Sequence, residues 1–223
     1  DLVKEDDHAA FVQLFAFMRD KGIALPDFDE AFDVYRDLFY GMIEISRETH
    51  REACFDLVLK HLLFRYNVDL NGKTTFEELI QVYYKEIYSC RLVYPDTIDT
   101  LNELKSRGVR MGIITNTTNP GFMKDYERKS MGLDSYFEFA IYSSEVPYRK
   151  PHTSIFWMAV NHMALDVSEI LFVGDDLRAD IEGAQGISLA TAWLNRQRKA
   201  RKGNVRANHE IYALTDLLKL KSH

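Results

Sequence analysis

Short apolar runs alternate with amphipathic segments over residues 95–194, and this alternation constrains the fold more than any other feature of the chain. Each run has the length of a strand, and each intervening segment repeats its apolar residues at helical spacing. Such alternation is typical of a parallel sheet with helices on its faces. It predicts an α/β fold with a Rossmann-like parallel-sheet core. The predicted strands cover residues 109–114, 137–142, 170–173 and 189–194, and the predicted helices cover residues 97–107, 121–131, 153–163 and a last segment from Thr215.

The first part of the chain has a different pattern, with four amphipathic helices and almost no strand. Three of these helices are predicted at residues 8–21, 26–43 and 52–66, and the fourth begins after Thr75. Thr75 and Glu78 have the spacing of a capping box, which marks the start of that helix. Four such helices can bury their apolar faces against one another. We therefore predict an all-helical unit over residues 1–92 and an α/β core over residues 93–223.

Three loops with polar side chains follow predicted strands, at the edge of the sheet where open α/β folds bind ligands. Three carboxylates in one of these loops would repel one another unless they share a cation. Mg²⁺ suits a few carboxylates and leaves positions for substrate oxygens, while a lysine and a hydroxyl can orient a phosphoryl group. The candidate site residues are Thr115, Asn116, Lys150, Asp175, Asp176 and Asp180.

Each of these residues also has an ordinary structural interpretation. Asp is common in the first turn of a helix, so the acidic cluster could be a solvated helix cap. Thr115 and Asn116 could form a turn after a strand, and Lys150 could be a surface lysine. The apolar strand before the acids, and the position of all three loops at one sheet edge, favour the metal and phosphate site.

Charge and cysteine content limit the classes of partner. The net charge of −6 and the pI of about 5.7 give no general attraction to nucleic acid. The basic run at residues 196–202 is interpreted as a solvated loop. Cys54 and Cys90 suggest neither a disulfide framework nor a zinc site, which fits a reducing cytoplasm. No apolar run approaches the ~20 residues that span a bilayer, so we expect no membrane partner.

The order and spacing of the three loops resemble the core motifs of the haloacid dehalogenase superfamily, most of whose members are magnesium-dependent phosphatases. ITNTT at residues 114–118 resembles the second motif of that family. RKPHTSIF at residues 149–156 resembles the third, and VGDDLRAD at residues 173–180, followed by EGAQG, resembles the fourth. The resemblance covers more than half of the chain. It also implies that the helices before the second motif form a cap of the C1 type, which closes over substrate.

The resemblance assigns roles to the candidate residues. It implies that Thr115 supplies the phosphate-binding hydroxyl and that Lys150 is the basic residue of the third motif. It implies that Asp175 binds Mg²⁺ directly, with Asp176 or Asp180 as its partner. Thr115 and Asn116 would together orient the phosphoryl oxygens. We therefore predict Thr115, Asn116 and Lys150 as catalytic and substrate-binding residues, and the three aspartates as metal ligands.

The first motif of the family, Asp-x-Asp-x-Thr after an apolar strand, has no counterpart in this sequence. That motif carries the nucleophilic aspartate and the aspartate that acts as acid and base. Asp1 resembles a position near the Thr of the motif, and Asp27-Phe-Asp29 is better interpreted as a helix start. The missing strand would lie between the strands that end at Thr115 and Gly174, where its absence leaves backbone groups unpaired. We expect the intact protein to contain that strand upstream.

The sequence thus predicts a magnesium-dependent hydrolase of small phosphomonoesters that works through an aspartyl-phosphate intermediate. Its partner would be a small phosphorylated metabolite, and the protein would be a monomer or a homodimer. One alternative is a 2-haloacid dehalogenase on the same fold, although such enzymes need no Mg²⁺ and usually have a less acidic fourth motif. The other alternative is a catalytically inactive binding module of the same family.

Overall fold

The computed structural model describes residues 7–89, 91–201 and 203–220, which pack into two compact units. The helical unit takes the described residues within 1–49, 53–92 and 118–127, and the α/β unit takes those within 50–52, 93–117 and 128–223. The predictions that concern Asp1 and Cys90 lie outside the described residues. Within the described part, no helix combines the length and the apolar character needed to cross a membrane.

Four helices lie wholly within the described part of the helical unit, and they confirm the predicted ones to within a few residues, except at the end of the second. They are α1 (Asp7–Asp20), α2 (Phe28–Thr49), α3 (Phe55–Arg65) and α4 (Phe76–Tyr88). Helix α1 packs mainly on α4, and α2 packs mainly on α3. Helix α2 continues six residues beyond its predicted end at Ile43, because Ser46 adds another buried position on the same face.

The core of the helical unit is rich in aromatic rings and contains one buried chain of hydroxyl groups. The rings of Phe55 and Tyr83 stack with their centroids 4.0 Å apart. Tyr83 donates a hydrogen bond of 2.7 Å to Asp7 Oδ1, so the hydroxyl of Tyr35, 2.9 Å away, donates to Tyr83. Burial raises the pKa of both phenols far above the ordinary range, which keeps them neutral.

Two local predictions about helix starts are confirmed. The Thr75 hydroxyl accepts from Glu78 N at 3.1 Å, while the Glu78 carboxylate accepts from Thr75 N at 3.2 Å, which completes the capping box of α4. Asp27 Oδ1 accepts from Glu30 N at 3.0 Å in the first turn of α2. Asp27 therefore acts as a helix cap, as predicted for the Asp27-Phe-Asp29 segment.

The described part of the α/β unit contains five parallel strands in two sheets, in agreement with the predicted α/β class. Strand β1 (Ile113–Thr115) pairs with β2 (Ala140–Tyr142), and β3 (Leu171–Gly174) pairs with β4 (Ala190–Leu194). A fifth strand, β5 (His209–Ile211), extends the second sheet beside β4 and was not predicted. It has three residues, two of them polar, so it lacks the apolar run that identifies the other strands.

Helices α5 (Thr97–Ser106), α6 (Gly121–Ser130) and α7 (Thr153–Met163) begin at their predicted residues. After β3 the chain forms one π-helical segment, Leu177–Glu182, which continues into the short α8 (Gly183–Gln185). The predicted last helix is a 3-10 segment, Leu214–Lys219. These local shapes determine where the acids after β3 lie.

The two sheets are not hydrogen-bonded to each other, so β1 and β3 are edge strands. All residues of β1 are half-buried, and Leu171 of β3 is 39% exposed. The residues of β3 are thus less buried than expected for an apolar run inside a parallel sheet, because no strand pairs with its free edge among the described residues. Helix α7 links the sheets, since Ile114 of β1 and Phe172 of β3 both pack on the cluster that contains Ile155 and Phe156.

Candidate active site

The loop after β1 is joined to the loop before α7 by one side-chain amide. Asn116 Oδ1 accepts from Lys150 N at 2.8 Å, and Asn116 Nδ2 donates to Lys150 O at 2.9 Å. Asn116 thus binds both backbone groups of the same residue and fixes the position of Lys150. Thr115, the residue before Asn116, is the last residue of β1. The Thr115 hydroxyl has no hydrogen-bond partner among the described residues.

The ammonium of Lys150 lies between the ends of β1 and β3. Its Nζ donates to Ile114 O at 3.1 Å and to Asp180 Oδ1 at 2.6 Å. The side chain is only 11% exposed, and the ring of Phe172 lies 5.6 Å below the ammonium. An ammonium group held by these contacts has a fixed position, so it can offset the negative charge of a group that binds beside it.

Asp180 organises the turn after β3. Its Oδ2 accepts from the backbone N–H groups of Asp175 and Asp176, both at 3.0 Å, while Oδ1 binds Lys150. The residue is only 4% exposed. This close approach requires Gly174, because a Cβ there would lie 2.4 Å from the side chain of Asp180. Both carboxylate oxygens of Asp180 are therefore engaged by the protein itself.

Asp175 and Asp176 lie at the exposed side of the same turn. Asp176 Oδ1 accepts from Arg178 N at 2.8 Å and from Ala179 N at 2.7 Å, so it caps the π-helical segment. Partial removal of the Asp175 carboxylate from water is the main cause that raises its pKa, and the negative charge of Asp180 is the second. The positive charge of Lys150 partly opposes this increase in pKa. A nearby cation would relieve this cost, so Asp175 fits a metal ligand.

The three predicted metal ligands thus differ in their contacts. Among the described residues, no group of three His, Cys, Asp or Glu side chains is already arranged to hold a metal ion. The oxygens that remain available are those of Asp175 and the second oxygen of Asp176, which are hard donors of the kind that Mg²⁺ prefers. The donor set therefore fits a magnesium ion that keeps most of its remaining positions for water and substrate.

Four residues of the site region were missed by sequence reasoning. Trp193 Nε1 donates to Asp175 O at 3.0 Å. Trp193 pairs with Gly174 in the register of β3 with β4, so the pairing of these two strands is the feature that would have placed it beside the turn. Glu52, Ser143 and Arg149 form a hydrogen-bonded group behind Asn116 and Lys150. Glu52 is 91 residues from Ser143 and 97 residues from Arg149 in the sequence, so no local pattern could have found it.

Comparison with known sequences gives one family and several relatives. The family profile described as haloacid dehalogenase-like hydrolase matches residues 30–194. The chain is 32% identical over 172 residues to the glyceraldehyde 3-phosphate phosphatase of Pyrococcus abyssi, covering 75% of the chain and 65% of that protein. It is 37% identical over 97 residues to the ribulose-1,5-bisphosphate 5-phosphatase of Halopiger xanaduensis, covering 44% and 40%. The matched part spans less than two thirds of each of these relatives.

Solved structures show the same fold. A HAD phosphatase from Thermococcus onnurineus superimposes with a TM-score of 0.62 at 27% identity, covering 95% of the chain and 86% of that structure. A 2-haloacid dehalogenase from Pseudomonas syringae pv. Tomato superimposes with a TM-score of 0.61 at 24% identity, covering 96% and 91%. The second similarity concerns the fold alone.

Proposed function

Because the chain belongs to the haloacid dehalogenase-like hydrolase family, we propose that it forms the cap and core of a phosphatase. In this proposal, residues 1–92 are the cap and residues 93–223 are the α/β core. The enzyme hydrolyses small phosphomonoesters with Mg²⁺ through an aspartyl-phosphate intermediate. The observation that carries the proposal is the buried Lys150–Asp180 ion pair, which holds a cation between the ends of β1 and β3.

The residues after β1 and before α7 would bind the phosphoryl group. Lys150 would offset the charge of its oxygens, and the Thr115 hydroxyl, which has no hydrogen-bond partner among the described residues, would donate to one of them. The Asn116 amide is already occupied by the backbone of Lys150, which favours a positioning role over direct contact with substrate. The predicted contact of Asn116 with phosphate is therefore the least supported of the three.

The residues after β3 would hold the metal. Asp175 would be the direct ligand, with the free oxygen of Asp176 as its neighbour. Because both oxygens of Asp180 are engaged, that residue would orient Lys150 and the turn and would not bind the ion. When bound, Mg²⁺ would neutralise charge on the phosphoryl oxygens.

The nucleophile would be a carboxylate on a strand that is not part of this sequence. The free edges of β1 and β3, whose ends the Lys150 ammonium connects, support a parallel strand between them. Its carboxylate oxygen would attack phosphorus while the bond to the leaving alcohol breaks and an acid donates a proton to that alcohol. Water would then attack phosphorus and break its bond to the aspartyl oxygen, which releases phosphate and restores the carboxylate, while the group that served as the acid takes the proton of the water.

Small phosphate esters are the substrate class that the relatives support. The similar proteins of Pyrococcus abyssi and Halopiger xanaduensis are named for phosphorylated three-carbon and five-carbon compounds. Both names refer to a small phosphorylated metabolite, and we propose only this broad substrate class for the present chain.

Steady-state hydrolysis of p-nitrophenyl phosphate by the full-length protein tests the proposal. Wild-type protein should release phosphate with Mg²⁺ and lose that activity with EDTA. Asp175→Asn should lower kcat by about 100-fold or more, because a charged oxygen ligand is lost. Glu138→Gln is the matched control, since Glu138 forms an exposed ion pair with Arg110 in the same unit.

Three results would contradict parts of the proposal. Magnesium-dependent activity of Asp175→Asn close to that of the wild type would rule out its role as a ligand. Halide release from a 2-haloacid without Mg²⁺, in place of phosphate release, would indicate a dehalogenase. Absence of both activities in folded full-length protein would indicate an inactive binding module.

A further inference from the structure

Glu52 carries a buried carboxylate that no part of the proposed chemistry uses. It lies in the short connection between α2 and α3, yet residues 50–52 pack in the α/β unit. Its side chain is only 3% exposed. A carboxylate buried to this extent requires hydrogen-bond donors, because removal from water is costly for a charged group.

The first contact of Glu52 leads to the loop after β1. Its Oε2 accepts from the hydroxyl of Ser143 in a short hydrogen bond. Ser143 has one hydroxyl proton, which it donates to Glu52, so its oxygen accepts from Thr117 N at 2.7 Å. Ser143 is only 1% exposed, and this chain of bonds therefore fixes Thr117, which follows Asn116 directly.

The second contact of Glu52 leads to the loop before α7. Its Oε1 accepts from Arg149 Nη1 at 3.0 Å. The same segment also holds the backbone of that loop, since Arg149 N donates to His50 O at 2.8 Å. Arg149 directly precedes Lys150, so residues 50–52 hold the base of the loop that presents the Lys150 ammonium.

We infer that Glu52 is a positioning residue that sets the spacing between the Asn116–Thr117 loop and the Arg149–Lys150 loop, an inference that rests on the proposed phosphatase function. The Glu52 carboxylate binds Arg149 of one loop directly and is joined to Thr117 of the other loop through the Ser143 hydroxyl. The Asn116 amide joins the same two loops through the backbone of Lys150. Glu52 thereby controls the distance between the Thr115 hydroxyl and the Lys150 ammonium. Both groups must reach the same phosphoryl oxygens, so a change in this distance lowers the rate without removing a contact to substrate.

The variant that tests the inference is Glu52→Gln in the full-length protein, assayed with p-nitrophenyl phosphate and Mg²⁺. A displaced pair of loops should lower kcat by about 10-fold to 100-fold and change KM by less than about threefold. Glu138→Gln, which removes the exposed partner of Arg110 from the same unit, should leave both constants unchanged. Glu52→Asp retains the charge but is one methylene shorter, so it should restore only part of kcat.

A role in folding alone predicts a different result. In that case Glu52→Gln would lower the fraction of folded protein and the melting temperature, while kcat per folded molecule would equal that of the wild type. This outcome would overturn the inference. If Glu52→Gln does not fold, Ser143→Ala removes only the branch to Thr117 and should still lower kcat, whereas wild-type kcat in folded Ser143→Ala would overturn it.

Hydrogen exchange separates this inference from the proposed function. The Thr117 amide is bonded to Ser143 and the Lys150 amide to Asn116, so both should exchange slowly in the wild type and at least about 10-fold faster in Glu52→Gln. Equal exchange rates in the two proteins would overturn the positioning role whether or not the enzyme is a phosphatase. Absence of phosphatase activity in the wild type, with faster exchange in the variant, would overturn only the proposed function.

Discussion

The two units of the chain use buried polar groups in different ways. In the helical unit, neutral hydroxyls join Tyr35, Tyr83 and Asp7 inside a core of stacked aromatic rings. In the α/β unit, carboxylates such as Asp180 are held by backbone N–H groups at a strand end and keep a cation beside them. The first arrangement stabilises packing, whereas the second keeps charge in a fixed position without neutralising the whole site. Substitutions in the two units should therefore separate stability from activity.

The largest effect should come from Gly174→Ala in the α/β unit. A Cβ there would lie 2.4 Å from the Asp180 side chain, so that residue and its partner Lys150 must shift. We expect kcat for p-nitrophenyl phosphate to fall by about 100-fold and the free energy of unfolding by about 1–3 kcal/mol.

Gly41→Ala provides the matched control in the helical unit. Gly41 lies within α2, and a Cβ there would meet no atom within 4 Å. This substitution should raise the free energy of unfolding by up to about 1 kcal/mol and leave kcat unchanged. If Gly174→Ala had the kcat of the wild type, the turn after β3 would not need its present geometry, and the contrast between the units would fail.

An intermediate effect, on stability alone, should follow from Tyr83→Phe in the helical unit. The change removes the hydroxyl that binds Asp7 and Tyr35, so it should lower the free energy of unfolding by about 1–3 kcal/mol in urea titration. Tyr40→Phe also removes a hydrogen bond to the Asp7 carboxylate, but Tyr40 is 50% exposed. This substitution should therefore lower the free energy of unfolding by less than Tyr83→Phe does. A large fall in kcat of folded Tyr83→Phe would show that this hydroxyl chain is not purely structural.

The smallest effect on stability should come from substitution of Asp216, whose carboxylate accepts hydrogen bonds from backbone N–H groups. Asp216 is far in the sequence from every candidate site residue. The Lys219 ammonium and the N–H groups of Tyr212 and Ala213 lower the pKa of Asp216 to about 2. Its stabilising effect is therefore complete above the unfolded pKa of about 3.9 and is lost as the pH falls towards about 2.

Urea unfolding of wild type and Asp216→Asn between pH 2 and pH 6 measures this effect. The difference in unfolding free energy should be constant above a pH of about 5 and should shrink below about 4, with kcat at neutral pH unchanged. A difference that does not depend on pH would mean that the charge of Asp216 does not contribute to stability.

The helices and the order of the strands could be predicted because their signals are local. Thr75 and Glu78 specify a helix start within four residues, and α7 was predicted with both ends correct, at Thr153 and Met163. The short edge strands could not be bounded in the same way. The predicted strand at residues 109–114 is reduced to Ile113–Thr115, because pairing along a strand depends on its neighbours.

Within the candidate site, residue identities were easier to predict than their contacts. The sequence placed Lys150 and Asp180 at one sheet edge, and the structure brings them within 2.6 Å. It did not indicate that Asp180 uses both oxygens within the protein, because that depends on the turn formed by the π-helical segment. Glu52 was missed since its partners are far away in the sequence and nothing near it suggests burial.

The hydrogen bond from Trp193 to the Asp175 carbonyl has a practical consequence. Trp193 is one of only two tryptophans in the sequence, and it is 4% exposed, whereas Trp157 is 46% exposed. A protein with Trp157→Phe would emit from an indole whose N–H is bonded to the backbone of the proposed metal ligand. We expect Mg²⁺ binding at Asp175 to change this emission, which would allow occupancy of the proposed site to be followed without a label or a turnover assay.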